Sequence, residues 1–245
     1  MSLSPGERRA ELVASLAALR RRLADAATAS DRDPHAITLI AVTKTYPATD
    51  AATLVELGCT DLGESRDQEA AAKVEDTARL LASVRQAGPP RWHFVGRLQS
   101  RKCRSVARYA HAVHSVDRLE LVDGLADGVR RAERPRLGVF VQVSLDGDPA
   151  RGGVVAGEVV PLADAIAAAD GLDLLGVMAV APLGGDPDAA FMRLAEVSEM
   201  LQARHRGAVA ISAGMTADLD EAVKHGSTHV RVGSALLGRR APVFG

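Results

Sequence analysis

Apolar positions in this chain follow two different rhythms. Leu12, Leu16, Leu19 and Leu23 recur at helical spacing with arginines between them, which predicts an N-terminal helix over residues 5–29. Short, continuous apolar runs then return at intervals, at residues 37–42, 61–64, 92–96, 112–115, 137–143, 174–180, 208–212 and 229–232. Runs of this length, rich in β-branched residues, predict strands. A helix-like stretch follows each one, at residues 50–57, 66–84, 98–109, 118–131, 155–169, 187–205, 218–225 and 234–237.

Strands that are apolar on both faces, alternating with helices, imply a parallel sheet covered by helices. Such units repeated along 245 residues favour a closed (β/α)8 TIM barrel of the α/β class, a single domain over residues 1–245 with one extra N-terminal helix. An open doubly wound sheet would want a glycine-rich turn after its first strand. The chain has Val42-Thr43-Lys44-Thr45-Tyr46-Pro47 there, without glycine. The loops at 144–153 and 182–187 are the richest in turn residues. Both follow strands, so both belong to the functional face of a barrel.

Composition narrows the function classes. Apolar residues make up 47% of the chain and can fill a large core. A net charge of −1 exerts no general pull toward nucleic acid or an acidic membrane, so any anion site must be local. Aromatics at 3% argue against stacking platforms for bases. Cys59 and Cys103 stand far apart with no zinc-ligand spacing and read as reduced thiols. The charged N-terminus has no apolar signal core, and no apolar run reaches the ~20 residues of a membrane span, so a cytoplasmic location is expected.

Basic residues are mostly arginine; lysine occurs only at Lys44, Lys73, Lys102 and Lys224. The last three sit in polar, helical surroundings and read as solvated. Lys44 closes an apolar strand, where its side chain enters the barrel mouth. An amine withdrawn from water there is more easily deprotonated, and a neutral amine is what condensation with an aldehyde needs. A lysine snorkelling from a strand end into water is the competing reading.

At the other end of the chain, Ile211-Ser212-Ala213-Gly214-Met215-Thr216 runs from a strand into a small-residue turn, and Val232-Gly233-Ser234 does the same one unit later. Turns after the seventh and eighth strands of a barrel are the usual phosphate site, and their N–H groups suit an anion. Ordinary turns with serine as a helix cap would look similar. Arg231 alternates with Val230 and Val232, so its side chain faces away from theirs and into the barrel. A guanidinium only donates hydrogen bonds. Facing a pyridine nitrogen, it would keep that nitrogen unprotonated and the ring a weak electron sink.

At these residues the chain resembles the pyridoxal phosphate homeostasis protein family, which is related in fold to the N-terminal barrel of alanine racemase. The resemblance runs through Val42-Thr43-Lys44-Thr45, Leu62-Gly63-Glu64-Ser65 and the block Trp92-His93-Phe94-Val95-Gly96-Arg97-Leu98-Gln99-Ser100-Arg101-Lys102. It continues through His114-Ser115-Val116-Asp117, Gly176-Val177-Met178-Ala179-Val180 and Gly226-Ser227-Thr228-His229-Val230-Arg231-Val232-Gly233-Ser234-Ala235. It implies pyridoxal 5'-phosphate (PLP) held as a Schiff base on Lys44, with Arg231 at the pyridine nitrogen. It implies Ser212, Thr216, Gly233 and Ser234 around the phosphate, Gly214, Met215 and Ser65 as further cofactor-binding residues, and Met178 and His93 near the mouth. The chain departs from the family pattern at Ser65, where asparagine is usual, at Tyr46 in place of a second lysine, and at Arg151 in place of a loop lysine. Arginine forms no stable Schiff base at neutral pH, so a single covalent site is expected.

Three functions compete. The first is a monomeric PLP carrier that holds a reactive aldehyde and supplies PLP-requiring apo-enzymes. The second is a PLP enzyme with weak amino acid racemase activity. It needs acid/base groups on both substrate faces; Tyr46 and Tyr109 are the candidates, with Tyr109 reading as helix surface. The third is an aldolase-like barrel in which Lys44 binds substrate and Glu64 moves the proton. The carrier is the favoured reading, with no catalytic residue and no metal.

Overall fold

The computed structural model describes residues 3–82, 84, 88–148 and 150–238. Eight parallel strands close into a barrel in sequence order. They are β1 Thr38–Val42, β2 Asp61–Glu64, β3 Arg91–Phe94, β4 Ala112–Val116, β5 Leu137–Gln142, β6 Leu172–Met178, β7 Ala210–Ser212 and β8 His229–Val232. The ring closes where Ile40 of β1 stands opposite Arg231 of β8.

The N-terminal helix α1, Pro5–Ala29, has the predicted bounds. Ser4 caps it and Glu7 returns the bond to the Ser4 backbone, a reciprocal pair that satisfies two donors with no helical acceptor. Its buried stripe is Leu12, Leu16, Leu19, Leu23 and Ala27. The strands are joined by α2 Ala48–Glu56, α3 Asp67–Leu81, α4 Cys103–Tyr109, α5 Leu119–Arg131, α6 Ala156–Ala168, α7 Pro187–Arg204 and α8 Leu219–Lys224, and α9 Ser234–Leu237 follows β8. The helix predicted over 66–84 stops at Leu81, and Ser83 lies outside the described residues. The predicted helix over 98–109 splits, with a 3-10 turn at Ser100–Lys102 before α4.

Two apolar clusters lie between sheet and helices. One joins β3–β7 to α4–α7, and the other packs α1, α2, α8 and α9 on β1, β2 and β8. In the second cluster Val230 and Val232 face outward toward the helices, which leaves Arg231 facing inward, as the alternation requires. β6 begins earlier than predicted, and the sheet shifts register between Val139 and Phe140 opposite it. Gly176 absorbs the irregularity with φ at +151°; a Cβ there would lie 1.8 Å from Ala210 O.

Candidate functional site

The C-terminal ends of β1, β7 and β8 lead into the turns that carry Lys44, Thr216 and Ser234. Lys44 stands two residues past the end of β1, in the turn that follows, and is exposed. The expectation that its amine is withdrawn from water is therefore corrected. Ile40 and Val42 both pack against Gly63 on the barrel's inner face, and the same alternation carried on from them puts Lys44 on that face.

The turn that presents Lys44 is clamped from behind. Thr43 is buried, and its Oγ1 donates to Glu64 Oε1 at 2.7 Å. Lys73 of α3 donates to Thr43 O at 2.7 Å, to Glu64 Oε1 at 2.6 Å and to Glu69 Oε1 at 3.0 Å. Thr45, at φ +67°, donates its backbone N–H to Glu69. Lys73 is thus buried and triply bonded, contrary to its reading as solvated. Nothing in its local sequence signals this, because its partners come from other elements. Burial pushes the Glu64 carboxyl up from its ordinary value, against the pull of Lys73 and Thr43. Glu64 points at α3 and away from the inner face, so it does not stand beside Lys44 as a proton carrier.

The turns after β7 and β8 meet. Thr216 Oγ1 and Ser234 Oγ are 3.2 Å apart, and Ala235 N–H points at Thr216 Oγ1 at 3.4 Å. Arg22 of α1 braces the first turn by donating to Thr216 O at 2.6 Å. Gly214 takes φ +89° and packs so tightly on α8 that a Cβ would lie 2.6 Å from the Ala222 methyl. Met215 is exposed, and its N–H is taken by Asp218 at 2.6 Å. Gly233 sits against the end of β1, where a Cβ would be 3.3 Å from Val42 O. The two turns therefore adjoin the strand that leads to Lys44.

Arg231 is buried, with Nη1 donating to Ser212 Oγ at 2.6 Å and Nη2 to Ala179 O at 2.9 Å. Burial lowers its pKa to about 10, and it remains a cation at neutral pH. Ser212 differs from its expected place around a phosphate. It is fully buried, and its hydroxyl is shared between Arg231 and His114. His93 is also lower than expected. It lies inside the barrel, hydrogen-bonded to Asp61 at the start of β2 and to His114, and not at the mouth. Met178 ends β6, buried against Phe140 and Ala112. Ser65 is half-buried and borders a separate cleft of about 310 Å³ lined by Arg66, Asp67, Arg97 and Arg101.

Arg151 pairs with Asp146 and donates to Ala181 O at 2.7 Å, fastening the loop after β5 to the loop after β6. Tyr46 donates to Gly238 O at 2.6 Å, with the Arg8 guanidinium 5.7 Å from its ring centroid. Tyr109 is not a surface residue: its hydroxyl is buried, and burial, with the Asp67 and Glu64 carboxylates, pushes its pKa far up. Cys59 and Cys103 are buried free thiols, each pushed up to about 11 by burial. Among the described residues no helix is long and apolar enough to cross a membrane, and no group of three His, Cys, Asp or Glu side chains is arranged to hold a metal ion.

Comparison with known proteins agrees with this architecture. Residues 14–241 match the sequence profile of "Alanine racemase, N-terminal domain". A pyridoxal phosphate homeostasis protein of Mycobacterium bovis is 48% identical over 96% of this chain and 95% of its own length. Among solved structures, a protein of Bifidobacterium adolescentis superposes with a TM-score of 0.87 at 27% identity, over 96% of this chain and 98% of that one. PipY of Synechococcus elongatus, solved with PLP bound, superposes with a TM-score of 0.78 at 28% identity, over 93% of this chain and all of its own.

Proposed function

Because the chain belongs to the pyridoxal phosphate homeostasis protein family, on the alanine racemase N-terminal barrel, we propose that it binds PLP at the barrel mouth and holds it in reserve for PLP-requiring apo-enzymes. The observation that carries this reading is the pair of hydroxyls, Thr216 and Ser234, 3.2 Å apart beside β1, the strand that leads to Lys44. PLP supplies an aldehyde that condenses with amines and a pyridine ring that draws electrons. The residues present suit each part of it. The Thr216 and Ser234 hydroxyls and the first N–H groups of α9 would take the phosphate. Lys44 would take the aldehyde. Arg231, already fixed by Ser212 and Ala179, would offer a remaining N–H to the pyridine nitrogen. Gly214, Met215 and Gly233 shape the turns, and Met178 is buried at the end of β6.

Two features favour a carrier over a catalyst. A donor opposite the pyridine nitrogen leaves the ring a poor electron sink. No second acid/base group faces Lys44 from the candidates named: Tyr46 is bonded to Gly238, Tyr109 ends α4 with its hydroxyl buried, and Glu64 is bonded to Lys73. We take residues 1–245 to act as one cytoplasmic, monomeric PLP-binding domain.

The double variant Thr216→Val, Ser234→Ala tests the phosphate assignment. PLP affinity should fall at least about tenfold, the loss of one or two hydrogen bonds to a charged group. Attachment at Lys44 should survive at high PLP. Unchanged affinity would reject the assignment, and saturable turnover of an amino acid by the loaded wild-type protein would favour the enzyme reading.

A further inference from the structure

The barrel interior holds a buried chain of polar side chains that the PLP reading does not use. Arg231 Nη1 lies 2.6 Å from Ser212 Oγ. Ser212 Oγ is 2.8 Å from His114 Nδ1, His114 Nε2 is 2.9 Å from His93 Nδ1, and His93 Nε2 is 2.9 Å from Asp61 Oδ1. Arg91 closes the far end, with Nε and Nη2 donating to the two Asp61 oxygens at 2.8 and 2.6 Å. Arg91 and Asp61 open β3 and β2 at the barrel floor, whereas Ser212 lies fully buried at the end of β7 and meets Arg231 of β8. The chain thus runs through the barrel interior from the floor to Arg231.

Proton accounting gives it one direction. A guanidinium can only donate, so Ser212 Oγ must accept from Arg231. Ser212 is fully buried, and among the described residues its own proton has one acceptor within hydrogen-bond distance, His114 Nδ1. His114 is fully buried and stacked on Phe140 with ring centroids 4.3 Å apart; burial and its cationic neighbours hold it neutral. A neutral ring that accepts at Nδ1 carries its proton on Nε2 and gives it to His93 Nδ1. His93 then carries its proton on Nε2 and gives it to Asp61. Burial favours a protonated Asp61, but the bonds from His93 and Arg91 outweigh it and keep the carboxylate ionised. Every hydrogen is used once, and every bond points the same way. The opposite order would leave the Ser212 proton buried without a partner, a costly state.

We propose that Asp61, His93 and His114 are positioning residues that draw the Ser212 proton toward His114, leave the Ser212 oxygen to accept from Arg231, and so fix the Arg231 guanidinium opposite the cofactor ring. The functional part rests on Arg231 facing PLP; the order of the protons does not. Asp61, His93 and His114 touch no ligand in this scheme and act through Ser212.

Nitrogen-15 NMR of the histidine-labelled protein without PLP reads the proton order directly. His93 and His114 should both be neutral with the proton on Nε2. A proton on Nδ1 of either ring, or an imidazolium at either position near neutral pH, would overturn the relay whatever the fate of the PLP reading. His114→Phe and His114→Gln test the functional part. Phenylalanine keeps the stacking on Phe140 and removes the relay; PLP affinity should fall about tenfold and the visible band of the bound cofactor should shift, with Lys44 still trapped by borohydride. Glutamine can accept from Ser212 and donate to His93 in the same order, so it should restore band and affinity. A phenylalanine variant that folds with an unshifted band and wild-type affinity would refute the positioning role. Wild-type protein that fails to bind PLP would instead refute the function proposed above and leave the NMR result standing.

Discussion

Lys73 Nζ lies 2.6 Å from Glu64 Oε1, with both side chains buried between the sheet and α3. This pair, together with Thr43 and Glu69, fixes the turn that carries Lys44. The lysine that meets the mouth is held in place by a lysine that does not.

Removing one partner leaves the other as an uncompensated buried charge. Lys73→Met should cost about 3–5 kcal/mol of folding stability, read as a lower urea midpoint. The double variant Lys73→Met, Glu64→Leu should recover much of that loss, because burying no charge is cheaper than burying one. A Lys73→Met protein as stable as wild type would contradict the burial.

Gly176→Ala places a methyl group in the path of Ala210 O and forces an alanine into φ +151°. We expect at least about 3 kcal/mol of destabilisation. Hydrogen exchange should show the damage first in β6 and β7. The equivalent change at Gly157, which has nothing within 4 Å of its Cβ position, should be nearly neutral.

Buried histidines set an acid limit on stability. His229 is held down at about 4, chiefly by burial and then by His93, and His114 is held well below its ordinary value. The unfolded chain binds these protons near pH 6.5, whereas the folded one does not. Their contribution is therefore complete above pH 6.5 and is lost as pH falls toward 4, at up to about 1.4 kcal/mol per pH unit for each histidine. Urea midpoints at pH 7, 6 and 5 should fall in that order, and His229→Gln should flatten the slope. Midpoints that rise toward pH 5 would refute it.

Much of the barrel could be read from the chain because each strand is a short apolar run in a helical background. The helical character of α1 followed from its leucine spacing, and β2, β8 and α9 stand where the runs placed them. The meeting of the β7 and β8 turns was legible for a topological reason, since the last two strands of a closed barrel are neighbours. Features that depend on height within the barrel were not legible. Period-two alternation puts His93 on the inner face but does not say whether it stands at floor or mouth. Ser212 reads as a turn residue until His114 and Arg231 converge on it from β4 and β8. Lys73 and Tyr109 lie on helices whose local surroundings are polar, and only packing against other elements buries the lysine and the tyrosine hydroxyl.

Peptide mapping by mass spectrometry after borohydride reduction tests the covalent attachment of PLP at Lys44. One reduced pyridoxyl phosphate group is expected, on the peptide that contains Lys44, and none in Lys44→Ala. Label on Lys73, Lys102 or Lys224, or label that persists unchanged in Lys44→Ala, would contradict it.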